Sequence, residues 1–134
     1  MIGNFQGEIS NHWKTCIMNK TCRVFALLPM KAHSERVKEK NIRLFGDRPL
    51  YAHTLLALDG VGEIGEIIIN TDSERLASEA PVWSPKVRIH WRPPELCGDF
   101  VSMNKIIAYD LEHSRGEIYV QTHATNPLIT SATY

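Results

Sequence analysis

The stretch KAHSERVKEKN, residues 31–41, places Lys31, Arg36, Lys38 and Lys40 on one segment, with Ser34 and Asn41 among them. Cations at this density suit a polyanion: lysine acts as a compact point charge, and arginine as a planar fork that matches phosphate and carboxylate edges. The segment has no glycine. A Walker loop (Gly-x-x-x-x-Gly-Lys-Ser/Thr) or a Gly-x-Gly-x-x-Gly turn brings backbone amides onto phosphates, and neither pattern occurs in the chain. A phosphate here is therefore held mainly by side chains. From spacing alone the competing reading is a solvated basic loop. A second polar segment, His123-Ala124-Thr125-Asn126-Pro127-Leu128, is dense in hydrogen-bonding groups.

Both segments need an element to position them. Val24-Phe25-Ala26-Leu27-Leu28 is a continuous apolar run of the kind buried on both faces of a sheet, and Pro29 ends it. Glu66-Ile67-Ile68-Ile69-Asn70 is a second such run, and Val87–Trp91 alternates as a half-buried strand before Arg92-Pro93-Pro94 breaks it. Glu117–Gln121 reads as a fourth. Between them, Asp47-Arg48-Pro49 looks like a helix start, with Leu50, Tyr51, Leu55 and Leu58 as its apolar stripe up to Gly60. Thr71-x-x-Glu74 suits a capping box for a helix ending near Ala80, before Pro81. Ser102 caps a third helix with Met103, Ile106, Ile107 and Leu111 as the expected inner face. Strands alternating with helices imply an α/β fold, a mostly parallel sheet with flanking helices and right-handed crossovers. In such sheets ligands bind beyond the carboxyl ends of the strands, where strand order reverses. If the first and fourth strands are neighbours, segments 30–41 and 122–129 face each other across that point.

Composition narrows the partners. Fifteen basic and fifteen acidic residues in 134 give a net charge of zero. That argues against broad nucleic-acid binding or a basic membrane surface, so any anion site is local. The apolar runs are too short to span a bilayer, and residues 1–22 hold no apolar core of signal-peptide length, which reads as cytoplasmic. Those 22 residues show no helical or strand period and are expected to form an irregular arm ahead of an α/β domain over 23–134. Cys16, Cys22 and Cys97 lack zinc-site spacing and read as free thiols. For Asp72 the residue type also fits a helix N-cap, His90 and His113 read as surface or strand residues, His53 as a helix-face residue, and the tryptophans as packing anchors.

Taken together and in order, LLPMKAHSERVKEKNIR, PLYAHTLLAL, IIINTDSERLASEA, RPPELCGDFVSMNKII and THATNPLIT resemble the acylneuraminate cytidylyltransferase family, that of CMP-sialic acid and CMP-3-deoxyoctulosonate synthetases. The likeness covers roughly residues 23–134. It implies a Rossmann-like fold, and transfer of CMP from CTP to the anomeric hydroxyl of a 2-keto sugar acid with release of pyrophosphate and use of Mg2+. Lys31 falls where the family usually has an arginine on the triphosphate, Ser34 on a phosphate-contacting serine, and Lys40-Asn41 on a Lys-Asn pair beside the nucleotide. Asn70-Thr71-Asp72 matches a Ser-Thr-Asp run after the second strand. Arg92 and Glu95 match an Arg-Pro-x-Glu-Leu segment whose arginine faces the nucleotide, and Thr125-Asn126-Pro127-Leu128 matches Thr-Ser-Pro-Leu. His123 replaces a glutamine, and Ala32 and Glu35 also depart from the family loop.

The resemblance thus implies Lys31 and Lys40 as catalytic cations, and Lys31, Ser34, Arg36, Lys40, Asn41, Arg92, His123, Thr125 and Asn126 as the nucleotide site. Family members continue past the equivalent of Tyr134 into a region holding the magnesium-binding aspartates, part of the sugar pocket and a dimerisation arm. The chain therefore reads as the nucleotide-binding part of such a protein, cut after about four strands, with its metal ligands unassigned and a homo-oligomer expected. A non-catalytic nucleotide- or sugar-nucleotide-binding module and a related sugar-phosphate nucleotidyltransferase are the other readings.

Overall fold

A computed structural model describes residues 23–33 and 39–134. The expected arm over residues 1–22 lies outside the described residues, as do Ser34, Arg36 and Lys38. Four parallel strands form the main sheet: β1 (Val24–Leu27), β4 (Ile64–Thr71), β5 (Val87–Trp91) and β6 (Ile118–Gln121). Two two-residue strands, β2 (Leu44–Phe45) and β3 (Arg48–Pro49), make a separate antiparallel hairpin. The helices are α1 (Leu50–Asp59), α2 (Glu74–Trp83) and α3 (Met103–Glu112).

The order across the sheet is β5-β4-β1-β6. The chain steps outward from β1 to β4 to β5, then crosses back over β1 to lay down β6, so strand order reverses between β1 and β6. The fold is α/β and Rossmann-like, as the sequence implies. Side chains alternate across the sheet with a period of two. Ala26, Leu28, Ile67 and Ile69 point into one apolar layer with Tyr51, Ala52, Leu55 and Leu58 of α1 and Leu76 of α2. Phe25, Leu27 and Ile68 point into the other, against Ile107 of α3 and Tyr119. Each fully buried isoleucine of β4 contributes about 1.5–3 kcal/mol by leaving water, which is why Ile67-Ile68-Ile69 sits in an interior strand.

Four local readings need correction. The residues before α1 form the β2–β3 hairpin: its turn is Gly46-Asp47, with Gly46 at φ 71, the pattern of a type II′ turn. The N-cap of α2 is Ser73, whose Oγ accepts from Leu76 N at 3.2 Å, while Thr71 still belongs to β4. That helix also runs through Pro81 to Trp83. The proline removes the bond to the Ala77 carbonyl, yet only two residues follow it, so little helix is lost. In α3, both Met103 and Leu111 of the expected inner face are exposed, while Ile106 and Asp110 are buried and Ile107 half-buried: 106 and 110 lie one turn apart on the covered side, 103 sits in the first turn and 111 turns past the edge.

Candidate functional site

The carboxyl ends of the four main strands lie side by side. β1 continues its pairing past its last residue: Leu28 N donates to Ile68 O at 2.9 Å and Met30 N to Asn70 O at 2.9 Å. Thr122 N donates to Leu27 O at 3.0 Å on the other side. Segments 28–33 and 122–126 therefore leave the sheet as neighbours, and Met30 and Ala124 are both buried in the same apolar cluster beneath them. Thr54 of α1 reaches the second segment from below, its Oγ1 3.5 Å from the carbonyls of His123 and Asn126.

The first segment is held from a third strand. Asp72, just past β4, accepts from Ala32 N through Oδ1 at 2.7 Å. Its carboxylate thus anchors the basic segment rather than capping α2. Lys31 is exposed, with its ammonium 3.4 Å from Asp99 Oδ1, and its carbonyl lies 3.5 Å from Asn41 Nδ2. Lys40 and Asn41 sit in a short 3-10 turn, Lys40–Ile42, that follows Glu39 in the left-handed region at φ 53. His123, Thr125 and Asn126 are exposed. The structure thus brings Lys31, Lys40 and Asn41 to the β1 end and His123, Thr125 and Asn126 to the adjoining β6 end.

Arg92 is elsewhere. It follows β5, three strands from β6, or about 14 Å at the usual strand spacing. Nor does it lie free: its Nε donates to Asn70 Oδ1 at 2.8 Å and its Nη2 to Asn70 O at 3.1 Å, and the residue is 7% exposed. Burial lowers its guanidinium below the usual arginine range, opposed first by the charge of Asp72 and more weakly by Asp110.

Behind Arg92 lies a polar cluster that the sequence reading missed. Asn70 and His90 are register partners on β4 and β5. Asn70 Nδ2 donates to Asp110 Oδ1 at 2.8 Å, and His90 Nδ1 lies 2.8 Å from the same oxygen. The carboxylate accepts, so that ring nitrogen carries hydrogen. Asp110 is 1% exposed and its Oδ2 meets no donor. A polar residue at the fourth position of the α3 stripe was the signal available for it.

A cavity of about 320 Å³ lined from β1, β4, β5 and the end of α3 is at the opposite end of the sheet. Arg23, Arg88 and Arg115 line it, but Arg88 is paired in a fork with Glu66 at 2.8 and 2.9 Å, and Arg23 with Glu117 at 3.6 Å. Among the described residues no group of three His, Cys, Asp or Glu side chains is placed to hold a metal ion, and no helix is long and apolar enough to cross a membrane.

The parallel sheet reverses at β1 and β6, with cations and polar groups at that reversal, which is where open α/β sheets of this class take their ligands. Comparison with known proteins makes the class specific. The cytidylyltransferase family model matches residues 25–133, and the chain belongs to that family. It is 37% identical over 65 residues to CMP-N,N'-diacetyllegionaminic acid synthase of Legionella pneumophila, a match covering 48% of this chain and 28% of that protein. It is 26% identical over 111 residues to N-acylneuraminate cytidylyltransferase A of Danio rerio, covering 82% of this chain and 25% of that one. Among solved structures, CMP:2-keto-3-deoxy-manno-octonic acid synthetase complexed with CTP superposes with a TM-score of 0.69 at 17% identity, over 83% of this chain and 44% of that chain. The chain thus spans about a quarter of the length of those two curated relatives.

Proposed function

We propose that this chain is the nucleotide-binding part of a synthetase that transfers CMP from CTP to a 2-keto sugar acid of the sialic-acid kind. The observation that carries the reading is the adjacency of segments 28–33 and 122–126 at the β1–β6 reversal, in a chain of the cytidylyltransferase family. In the reaction the anomeric hydroxyl oxygen attacks the α-phosphorus of CTP, the bond from that phosphorus to the bridging oxygen breaks, pyrophosphate leaves, and the hydroxyl proton is released. Charge grows on the phosphoryl oxygens as this happens, so placed cations lower the barrier. Lys31 and Lys40 supply them, with Ser34 and Arg36 as further phosphate contacts. Asn41, His123, Thr125 and Asn126 offer donors and acceptors to the base or ribose, while Arg92, two strands from β1, is assigned to the nucleotide on the family likeness alone.

A divalent ion, Mg2+ in this reading, neutralises phosphate charge when bound. The described residues do not form a site for it: Asp72 is occupied by Ala32 N, and Asp110 is buried behind Asn70. Its protein ligands are therefore assigned outside the described residues. A homo-oligomer fits the exposed Leu44, Val82, Phe100 and Leu128, and a cytoplasmic setting fits a CTP-dependent reaction.

The test is calorimetric titration with CTP and UTP in magnesium buffer, followed by pyrophosphate release with a panel of 2-keto sugar acids. CTP should bind more tightly than UTP. Pyrophosphate release dependent on the sugar acid selects the synthetase, binding without release selects the module, and no binding of either nucleotide rejects both.

A further inference from the structure

Arg92 is held by Asn70, and Asn70 in turn by Asp110. Its Nε and Nη2 are taken up by the side-chain and main-chain oxygens of Asn70. Nη1 makes no hydrogen bond within the described residues, and the residue as a whole is 7% exposed. Which edge is presented depends on which way the Asn70 amide faces. An amide rotated by half a turn would set its NH2 group against the Arg92 Nε–H, donor against donor. What prevents rotation is Asp110: its Oδ1 accepts from Asn70 Nδ2 at 2.8 Å and leaves Asn70 Oδ1 toward the arginine. His90, the register partner of Asn70, reaches the same carboxylate oxygen at 2.8 Å and fixes Asp110 from the neighbouring strand.

We propose that Asp110 is a positioning residue for Arg92, acting through the amide of Asn70, with His90 holding Asp110 in place. The proposal deepens the nucleotide reading and rests on it for its consequence: an Arg92 held in one orientation meets a phosphate or base edge without first losing side-chain freedom. The requirement is for an acceptor at position 110. Asp110→Asn can retain one, with Oδ1 taking both donors, whereas Asp110→Ala cannot.

The test has two arms. In the first, CTP affinity is measured for the parent, Asp110→Ala, Asp110→Asn, Arg92→Ala and the double variant with both alanines. Asp110→Ala should weaken CTP binding about tenfold. Asp110→Asn should stay within about threefold, and Asp110→Ala should cost nothing more once Arg92 is alanine, since contacting groups on one pathway are not additive. Equal losses in the Arg92 and Arg92→Ala backgrounds would show a general structural role and overturn the proposal, as would unchanged binding in Asp110→Ala. The second arm needs no nucleotide: the 15N-resolved Arg92 Nε–H and Asn70 Nδ2–H protons are followed by exchange with water. Both should exchange slowly in the parent and in Asp110→Asn, and the Arg92 proton should exchange at the rate of free arginine in Asp110→Ala. If CTP does not bind the parent, the proposed function fails and this arm alone decides the role of Asp110. If Asp110→Ala does not fold, the parent spectrum still decides, because fast exchange of either proton there refutes the arrangement.

Discussion

Asp72 and Ala32, forty residues apart, are joined by a 2.7 Å hydrogen bond from the alanine amide to the aspartate carboxylate. It ties the head of the basic segment to the end of β4. A backbone amide on a charged acceptor contributes about 1.5–3 kcal/mol when it is sheltered. Asp72→Ala should therefore lower stability by roughly 1–2 kcal/mol, since this bond is only part-buried, and weaken CTP binding several-fold by releasing the segment. Urea unfolding and calorimetry on the same variant check both. Full CTP affinity in Asp72→Ala would remove the anchoring role.

Lys31 offers the opposite combination. Its pair with Asp99 spans 3.4 Å between side chains that are 42% and 56% exposed, and such pairs contribute about 0–1 kcal/mol. Lys31→Ala should leave the urea midpoint nearly unchanged while costing about 1.5–3 kcal/mol of CTP affinity as one charge-assisted contact is lost. Lys40→Ala should behave alike. CTP binding unchanged in both variants would show that the cations are ordinary solvated surface.

Tyr51 is fully buried in the main apolar layer and its hydroxyl has no hydrogen-bond partner among the described residues. Burial raises its phenol above the ordinary value of 10.0, opposed by a Trp83 indole that approaches the hydroxyl without reaching hydrogen-bond geometry. The unfolded chain therefore loses this proton at a lower pH than the folded chain. The unfolded state binds fewer protons above about pH 10, so stability falls as pH rises there. Tyr51→Phe removes both effects: it should raise stability by about 1 kcal/mol near neutrality and flatten the alkaline decline. Urea unfolding at pH 7.5 and pH 10.5 measures the difference, and a loss above about 1 kcal/mol at neutral pH would mean that the hydroxyl has a partner.

Gly46 is the residue of the hairpin turn with positive φ, 71°, and a Cβ built there would meet nothing within 4 Å. The expected cost of Gly46→Ala is thus conformational, about 1–2 kcal/mol, and is not a clash. The hairpin packs through Phe45, whose ring meets His53 edge-on at 5.4 Å and whose carbonyl lies 2.7 Å from His53 Nε2. A local rise in proteolysis or amide exchange at residues 44–49, with the main sheet unchanged, is the readout.

How much of this was legible depended on the range of the forces involved. Ile67-Ile68-Ile69 and Val24–Leu28 declare interior strands because an unbroken apolar run has nowhere else to go, and Val87–Trp91 declares a half-buried strand by alternation. The β2–β3 hairpin has two residues per strand, too short for any period to register. Pro81 misled because its usual effect presumes more helix beyond it. At the site, the cations of 31–41 were visible as a cluster, and the placement of 122–126 beside them was legible only on the condition that the first and fourth strands pair, which the structure supplies. Asp72 was ambiguous since its partner, Ala32, is forty positions distant and is a backbone group that every residue carries. Asp110 stood on the apolar stripe of α3, but its partners Asn70 and His90 are brought together only by the register of β4 and β5.

The β1–β6 pairing also says something about time. Val24 pairs with Ile118, ninety-four positions later, whereas β4 and β5 pair across about twenty. Closing the longer loop costs more chain entropy, by an amount that grows as the logarithm of its length, and the contact cannot exist until β6 is available. On the ribosome the β1-β4-β5 layer is expected to assemble first and to wait with one edge of β1 open. Among the four described strands the β1–β6 pairing is then the last to form, so segments 28–33 and 122–126 become neighbours only once β1 is paired on both sides.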